Sequence, residues 1–301
     1  MKKIIHSVPS IKIRTERSPR QVARAIGVSE SSLKRWCDQG LVPSRRTAGG
    51  HRRIPVAGVV RFLRDRGYDI EHPELLGLPA RIGTSDRDLA DVRDCFLDAL
   101  RTGDSDLIHR LMLGLYVERR PLFEIFDRMV APAFQQIGHE WQSGELAIYR
   151  EHRATELALR ALHALGQLLP PPTDNASHAL AATLEGDLYR LAITMCELVL
   201  RDAGWRAQSL GPDHPTDTLI AAISDLSPGL LVLSVNHVAD TRRFLADYGR
   251  LYEHAHRHRV PVVVGGQALT RELQASMRYA TLGRSMKELI DFADALWRAG
   301  S

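Results

Sequence analysis

The feature that most constrains this chain is the alternation that begins at His178. Apolar runs at Ala179–Leu184, Trp205–Leu210, Leu230–Val235 and Val260–Val264, with a weaker one at Tyr279–Leu282, are separated by amphipathic stretches. These cover Arg190–Asp202, Thr216–Asp225, Thr241–Arg257, Leu269–Ser276 and Ser285–Arg298. Short strands separated by helix-length connections pair in parallel, because a parallel pair needs a crossover of that size. The expectation is a parallel sheet with helices on both faces. A ligand on such a sheet sits beyond the carboxyl ends of the strands. The loops Glu185–Ala192, Gly211–Pro215, Ser234–His237 and Gly265–Gln267 are therefore the candidates for a site.

Before this region the period changes. Residues 68–85, with Pro73, Gly77, Pro79 and Gly83, read as a linker. Ser85-Asp86-Arg87-Asp88 has the pattern of a capping box, followed by Leu89, Val92, Phe96 and Leu100 at spacings of three and four. Leu107, Leu111 and Leu115 continue a second helix, Leu122, Ile125, Met129, Phe134 and Ile137 a third, and Leu157, Leu162 and Leu165 a fourth. Four amphipathic helices with short connections imply a four-helix bundle.

Charge separates the N-terminal part from the rest. Residues 1–75 hold sixteen Lys and Arg against seven acids, and the remainder twenty-four against twenty-nine. A basic module of this kind suits a polyanion, and counterion release makes its binding salt-dependent. Ser18-Pro19-Arg20-Gln21 is a helix start, with Ser as the cap and Pro in the first turn. Gly27 ends that helix and Ser29 caps a second, Glu30 to Asp38. Two short helices around a tight turn make a helix-turn-helix, whose second helix offers Ser31, Ser32 and Arg35 to base edges and Lys34 to a phosphate. Downstream, Gly49 and Gly50 form a hairpin tip between Arg45, Arg46 and His51, Arg52, Arg53, which reads as a phosphate-gripping wing.

The whole is thus expected to be multidomain. A small, all-α winged helix-turn-helix over residues 1–75 precedes the helical bundle over 76–172 and an α/β, flavodoxin-like (Rossmann-type) parallel sheet over 173–301. No stretch approaches the ~18 apolar residues of a membrane span, and the N-terminus lacks the apolar core of a signal peptide, so a cytoplasmic protein is expected. Cys37, Cys95 and Cys196 lie far apart with no Cys-x-x-Cys spacing, which gives no disulfide framework and no metal site.

The segment VARAIGVSESSLKRWCDQGLVPSRRTAGGHRRI resembles the winged helix-turn-helix of the MerR and excisionase group. The segments LEGDLYRLAITMCELVLRDAGWRAQSLGPDHP, LVLSVNH and VVVGGQAL resemble the cobalamin-binding domain of methionine synthase, corrinoid proteins and light-responsive MerR-type regulators. Trp141, followed after nine residues by Glu151-His152, is similar to the bundle that covers adenosylcobalamin in those photoreceptors, where Trp, Glu and His contact the adenosyl group. The resemblance further implies that Ser234, Gly265 and Gly266 line the channel for the nucleotide tail. It implies a transcriptional regulator, a repressor, with no catalytic residues. Such a protein binds a double-stranded DNA operator as a homo-oligomer, dimer or tetramer, whose assembly is set by a ligand.

Two positions depart from that pattern. The first loop of the family carries D/E-x-H-x-x-G, whose His binds cobalt, and here it reads Asp187-Leu188-Tyr189-Arg190-Leu191-Ala192. A neutral phenol is a far poorer cobalt ligand than imidazole. Beside Trp141, Gln142 replaces a second His; His139, His214 and His237 lie on or near the candidate loops and are the substitutes the chain offers for the axial histidines. The open alternatives are adenosylcobalamin held without a protein ligand, a bilin or another flat tetrapyrrole, or no cofactor and a regulatory protein partner. A corrinoid enzyme or methyl-carrier subunit is a further alternative, disfavoured because both the His and a catalytic domain are missing.

Overall fold

A computed structural model describes residues 16–78 and 89–300, and the chain divides into two compact units, Met1–Ile82 and Gly83–Ser301. The Ser85–Asp88 capping pattern and the basic residues before Glu16 lie outside the described residues.

In the first unit, α1 (Pro19–Ala25) and α2 (Glu30–Asp38) form the expected helix-turn-helix. The Ser18 hydroxyl accepts the Gln21 N–H while the Gln21 side chain accepts the Ser18 N–H, a reciprocal cap. Ser29 caps α2 by accepting the Ser32 N–H at 3.1 Å. Gly27 makes the turn at φ +67°, a value that β-carbon crowding denies to most residues. The wing strands β2 (Arg45–Arg46) and β3 (Arg52–Pro55) pair antiparallel, and β1 (Glu16–Arg17) adds a third strand on the other side of β3. Val22, Leu33, Ile54, Val59 and Leu63 fill the core, closed by α3 (Val56–Arg66).

The segment read as a linker is structured up to Leu78. It forms α4 (Pro73–Leu76), with Ile70, Leu76 and Leu78 buried. The cause is Arg17, a buried guanidinium that donates to the carbonyls of Leu75 and Leu76 at 2.9 and 2.7 Å and so satisfies the end of that helix.

The second unit holds the bundle and the sheet. The bundle consists of α5 (Leu89–Thr102), α6 (Ser105–Val117), α7 (Leu122–Ile125) running into α8 (Ala131–Gln142), and α9 (Ile148–Gly166). One π-helical segment, Phe126–Val130, joins α7 to α8 and carries Asp127. The sheet has five parallel strands in the order β5-β4-β6-β7-β8, the doubly wound arrangement in which the first strand lies inside the second. These are β4 (His178–Leu184), β5 (Arg206–His214), β6 (Leu230–Ser234), β7 (Val262–Gly265) and β8 (Thr281–Leu282). The intervening helices are α10 (Leu191–Asp202), α11 (Thr216–Leu226), α12 (Thr241–Arg257), α13 (Arg271–Ala275) and α14 (Met286–Gly300).

The expected loop Gly211–Pro215 is corrected by the structure, because β5 runs on to His214. Its pairing with β4 slips twice, and Gly211 and Asp213 take positive φ. The bulged strand is held by the Asp213 N–H, which donates to the Thr183 hydroxyl at 2.8 Å and to the Asp187 carbonyl at 3.1 Å. Asp127 joins bundle to sheet by accepting the N–H groups of Met286 and Lys287 at the start of α14. Among the described residues no helix is long and apolar enough to cross a membrane.

Candidate functional site

Two candidate sites emerge, one in each unit. In the first, the wing turn closes through the Thr47 N–H to the His51 carbonyl at 2.9 Å, with Gly50 at φ +77°. The four wing arginines then divide. Arg45 is spent on Glu16, donating to both carboxylate oxygens at 2.5 and 2.9 Å, and this contact lowers the Glu16 carboxyl below its usual range. Arg52 donates to Asp38 at 2.5 Å and to the Lys34 carbonyl at 3.2 Å, which ties the wing to the end of α2. The side chains of Arg46 and Arg53 make no hydrogen bond or ion pair among the described residues, and His51 is exposed at the tip.

The recognition-helix residues divide in the same way. Lys34 pairs with Glu30 at 2.9 Å, and Ser31 and Ser32 share hydrogen bonds with Ser29. Arg35 is exposed with no ion pair among the described residues. The geometry leaves Arg35, Arg46, His51 and Arg53 as the groups with spare donors, and gives Arg45 and Arg52 the work of bracing the wing. The bracing acids Glu16 and Asp38 were not singled out in the sequence; the only signal was an acid near a cluster of arginines.

The second site is at the carboxyl ends of β4 and β6 and the start of α9. Asp187 is buried in the loop after β4 and accepts three backbone N–H groups, from Tyr189 at 3.0 Å, Asn236 at 2.6 Å and His237 at 3.2 Å. Burial pushes its carboxyl above the ordinary range, although the three N–H groups pull the other way. Asp187 therefore pins the first loop to the third. Ser234, buried at the end of β6, accepts the Asn236 side-chain N–H at 2.8 Å. Gly265 and Gly266 are required by the fold. A β-carbon on Gly265 would meet the Gly283 carbonyl oxygen at 2.5 Å, and one on Gly266, at φ +117°, the Val235 carbonyl oxygen at 2.2 Å.

Tyr189 follows on the same loop and is 43% exposed. Burial of its ring, then the charges of Glu151 and Asp187, raise the phenol above its usual value and keep it neutral. Glu151, in the first turn of α9, is near enough for its charge to act on that phenol. Glu151 accepts the Thr155 hydroxyl at 3.1 Å and lies 3.5 Å from His152, which is exposed. Trp141, Ile148 and Tyr149 are exposed at the end of α8 and the start of α9, as are Leu188 and Tyr189 on the loop after β4. Below them Glu140, buried at the end of α8, is held by Arg101 and Gln136, and the contact with Arg101 lowers its carboxyl. Sequence reading missed Glu140 because its partner Arg101 lies on another helix.

The imidazoles near these loops are occupied or turned outward. His214 Nε2 lies 2.9 Å from the Leu210 carbonyl, and His237 and His139 are exposed. Trp141, Tyr149, Leu188 and Tyr189 are exposed apolar surface of the kind a flat group covers, and at position 189 the loop presents a phenol and not an imidazole. Cys196 is buried with its thiol pushed up to about 12, and Cys37 and Cys95 belong to other parts of the chain.

Comparison with known proteins agrees with this geometry. Residues 18–67 match the helix-turn-helix domain family, and residues 92–165 and 177–285 each match a B12 binding domain family. The HTH-type transcriptional repressor CarH of Myxococcus xanthus is 27% identical over 268 residues, 82% of this chain and 87% of that protein. The dimethylamine corrinoid protein of Methanosarcina barkeri is 21% identical over 150 residues, 49% of this chain and 70% of that protein. The solved structure of the Methanosarcina barkeri monomethylamine corrinoid protein superposes with a TM-score of 0.56 at 16% identity, covering 68% of this chain and 96% of that one, a likeness of fold. The chain is therefore similar to CarH along most of its length, and its matches run in the order of a helix-turn-helix domain followed by two B12 binding domain families over the bundle and the sheet.

Proposed function

We propose that this protein is a DNA-binding transcriptional regulator, a repressor, whose hold on its operator is set by a flat tetrapyrrole ligand between bundle and sheet. The observation that carries the reading is the pairing of two surfaces in one chain. One is a wing and recognition helix with unspent cationic donors at Arg35, Arg46 and Arg53. The other is a bundle start and strand-end loop that expose Trp141, Tyr149, Leu188 and Tyr189 around buried, fully bonded carboxylates. The matches to B12 binding domain families over residues 92–165 and 177–285, with the similarity to a corrinoid protein, support cobalamin as the ligand class.

In this reading Trp141, Glu151 and His152 contact the ligand from the bundle, and Asp187 holds the loop that carries Tyr189 against it. Ser234, Gly265 and Gly266 shape the path behind. Adenosylcobalamin, when bound, would supply a light-cleavable bond. The chain's own residues contribute packing, orientation and exclusion of water. A ligand that favours one homo-oligomeric state couples to DNA because several linked wings gain avidity of ~10² to 10⁴ over one.

A second reading is favoured by Tyr189 itself. A phenol kept neutral does not ligate cobalt well, which suits a bilin, or a regulatory protein partner in place of any cofactor.

The test is the absorption spectrum of the protein after dark incubation with adenosylcobalamin and desalting. It is repeated after green light and followed by size-exclusion chromatography. Retained corrin absorbance with a light-dependent change of assembly is the expected result. A colourless protein with unchanged assembly overturns the cobalamin reading, and the same assay with biliverdin then decides between bilin and partner.

A further inference from the structure

Away from both sites, the end of α12 carries His254-Ala255-His256-Arg257-His258, and His254 and His258 are the only histidines in the sequence spaced four apart. That spacing puts two side chains on one helix face, one turn apart. Their rings lie 4.3 Å apart between centroids at 28°. His256 is turned elsewhere, stacked on Tyr252 at 6.0 Å. The Ser224 hydroxyl on α11 lies 2.9 Å from His254 Nε2, which orients that ring and leaves Nδ1 as its nitrogen open to a metal, as outer partners do for metal-binding imidazoles.

We propose that His254 and His258 form a surface site for a divalent late transition metal, Zn²⁺, Ni²⁺ or Cu²⁺, with solvent completing the coordination. Imidazole nitrogens select these ions over Mg²⁺ and Ca²⁺, which prefer oxygen donors. Among the described residues no third His, Cys, Asp or Glu joins the pair, so the site is open on its solvent side. The guanidiniums of Arg257 and Arg259 flank it in sequence and hold the affinity down. His258 is the C-cap of α12, so a bound ion would staple the last turn of the helix to the turn before it.

The test is calorimetric titration of the tag-free full chain with Zn²⁺ alone, for the natural protein and for His254→Ala, His258→Ala and His256→Ala. The expected result is one zinc equivalent whose affinity falls roughly tenfold or more in the first two variants and is unchanged in the third. Saturating zinc is likewise expected to raise the thermal midpoint of the natural protein and of His256→Ala, but not of His258→Ala. The proposal is overturned if no zinc equivalent is seen, if His258→Ala binds as the natural protein does, or if His256→Ala loses as much as the other two.

Discussion

The wing of the first unit and the strand-end loops of the second deal with polar groups in opposite ways. In the wing, Arg45 and Arg52 are consumed by Glu16 and Asp38, which leaves Arg46 and Arg53 with donors to spare at the surface. In the loops, the Thr183 hydroxyl donates to the Asp187 carbonyl and accepts the Asp213 N–H, the carboxylates of Asp187 and Asp213 accept backbone N–H groups, and Trp141, Tyr149, Leu188 and Tyr189 remain exposed. Spent charges build a scaffold in both places. The unspent material differs, cationic in one and apolar in the other, and so the two surfaces suit a polyanion and a flat apolar ligand respectively.

The largest effect is expected where loop backbones touch. Gly266→Ala puts a β-carbon 2.2 Å from the Val235 carbonyl oxygen at a φ of +117°, and should cost about 2–4 kcal/mol in urea unfolding. Gly186, at φ +90°, has nothing within 4 Å of a built β-carbon, so Gly186→Ala should cost only about 1 kcal/mol. Equal losses at the two sites would show that strain of the backbone, and not close approach, governs both loops.

Next comes Asp187. Asp187→Ala leaves the N–H groups of Tyr189, Asn236 and His237 without their acceptor, an expected loss of about 2–3 kcal/mol. The sign of its pH dependence follows from burial. The folded carboxyl is raised, so the folded state keeps a proton that the unfolded chain releases. That contribution is full below the ordinary carboxylate range and is lost as pH rises through the folded value. The stability advantage of the natural protein over Asp187→Ala should therefore shrink with rising pH across that window, as measured by denaturant midpoints. A gap that widens would reverse the assignment of burial as the dominant cause.

These residues also mark how far the sequence was legible. Repeating local patterns survive the passage to three dimensions. The bounds of α12, Thr241–Arg257, are those its periodicity implies, and the strand and helix order of the sheet follows from the alternation. Features set by a distant partner leave no local trace. The two-residue strand at Glu16 exists because β3 lies beside it, and α4 exists because Arg17 satisfies its carbonyls. β5 extends to His214 because Thr183 and Asp187 accept the Asp213 N–H. At the candidate sites, residue types were legible but their employment was not. The arginines of the wing are equivalent in sequence, and only the positions of Glu16 and Asp38 separate the bracing pair from the unpaired one.

That separation is testable on DNA. Arg46→Ala with Arg53→Ala should lower operator affinity and reduce the slope of log affinity against log salt by about 2, one phosphate contact for each residue. Glu16→Gln, which adds no cation, frees Arg45 and loosens the wing. It should weaken binding through geometry while leaving the slope within about 1 of its natural value. Gel shifts over a salt series read both. An unchanged slope in the double variant would remove Arg46 and Arg53 from the DNA surface.

The smallest expected effect on stability is also the sharpest probe of the apolar surface. Trp141 and Tyr149 are 39% and 60% exposed, so replacing both with Ala removes little packing and should change unfolding free energy by no more than about 0.5 kcal/mol per site. If the exposed rings cover a flat ligand, the same double variant should lose retained chromophore on desalting, since stacking contact is then what holds it. Tyr189→His completes the comparison by restoring an imidazole on the loop that Asp187 fixes. It should leave stability nearly unchanged and increase cobalamin retention, with a spectrum of nitrogen-ligated cobalt. Retention that survives loss of Trp141 and Tyr149, and does not respond to His at 189, would place the ligand away from the first turn of α9 and undo the contrast between the two surfaces.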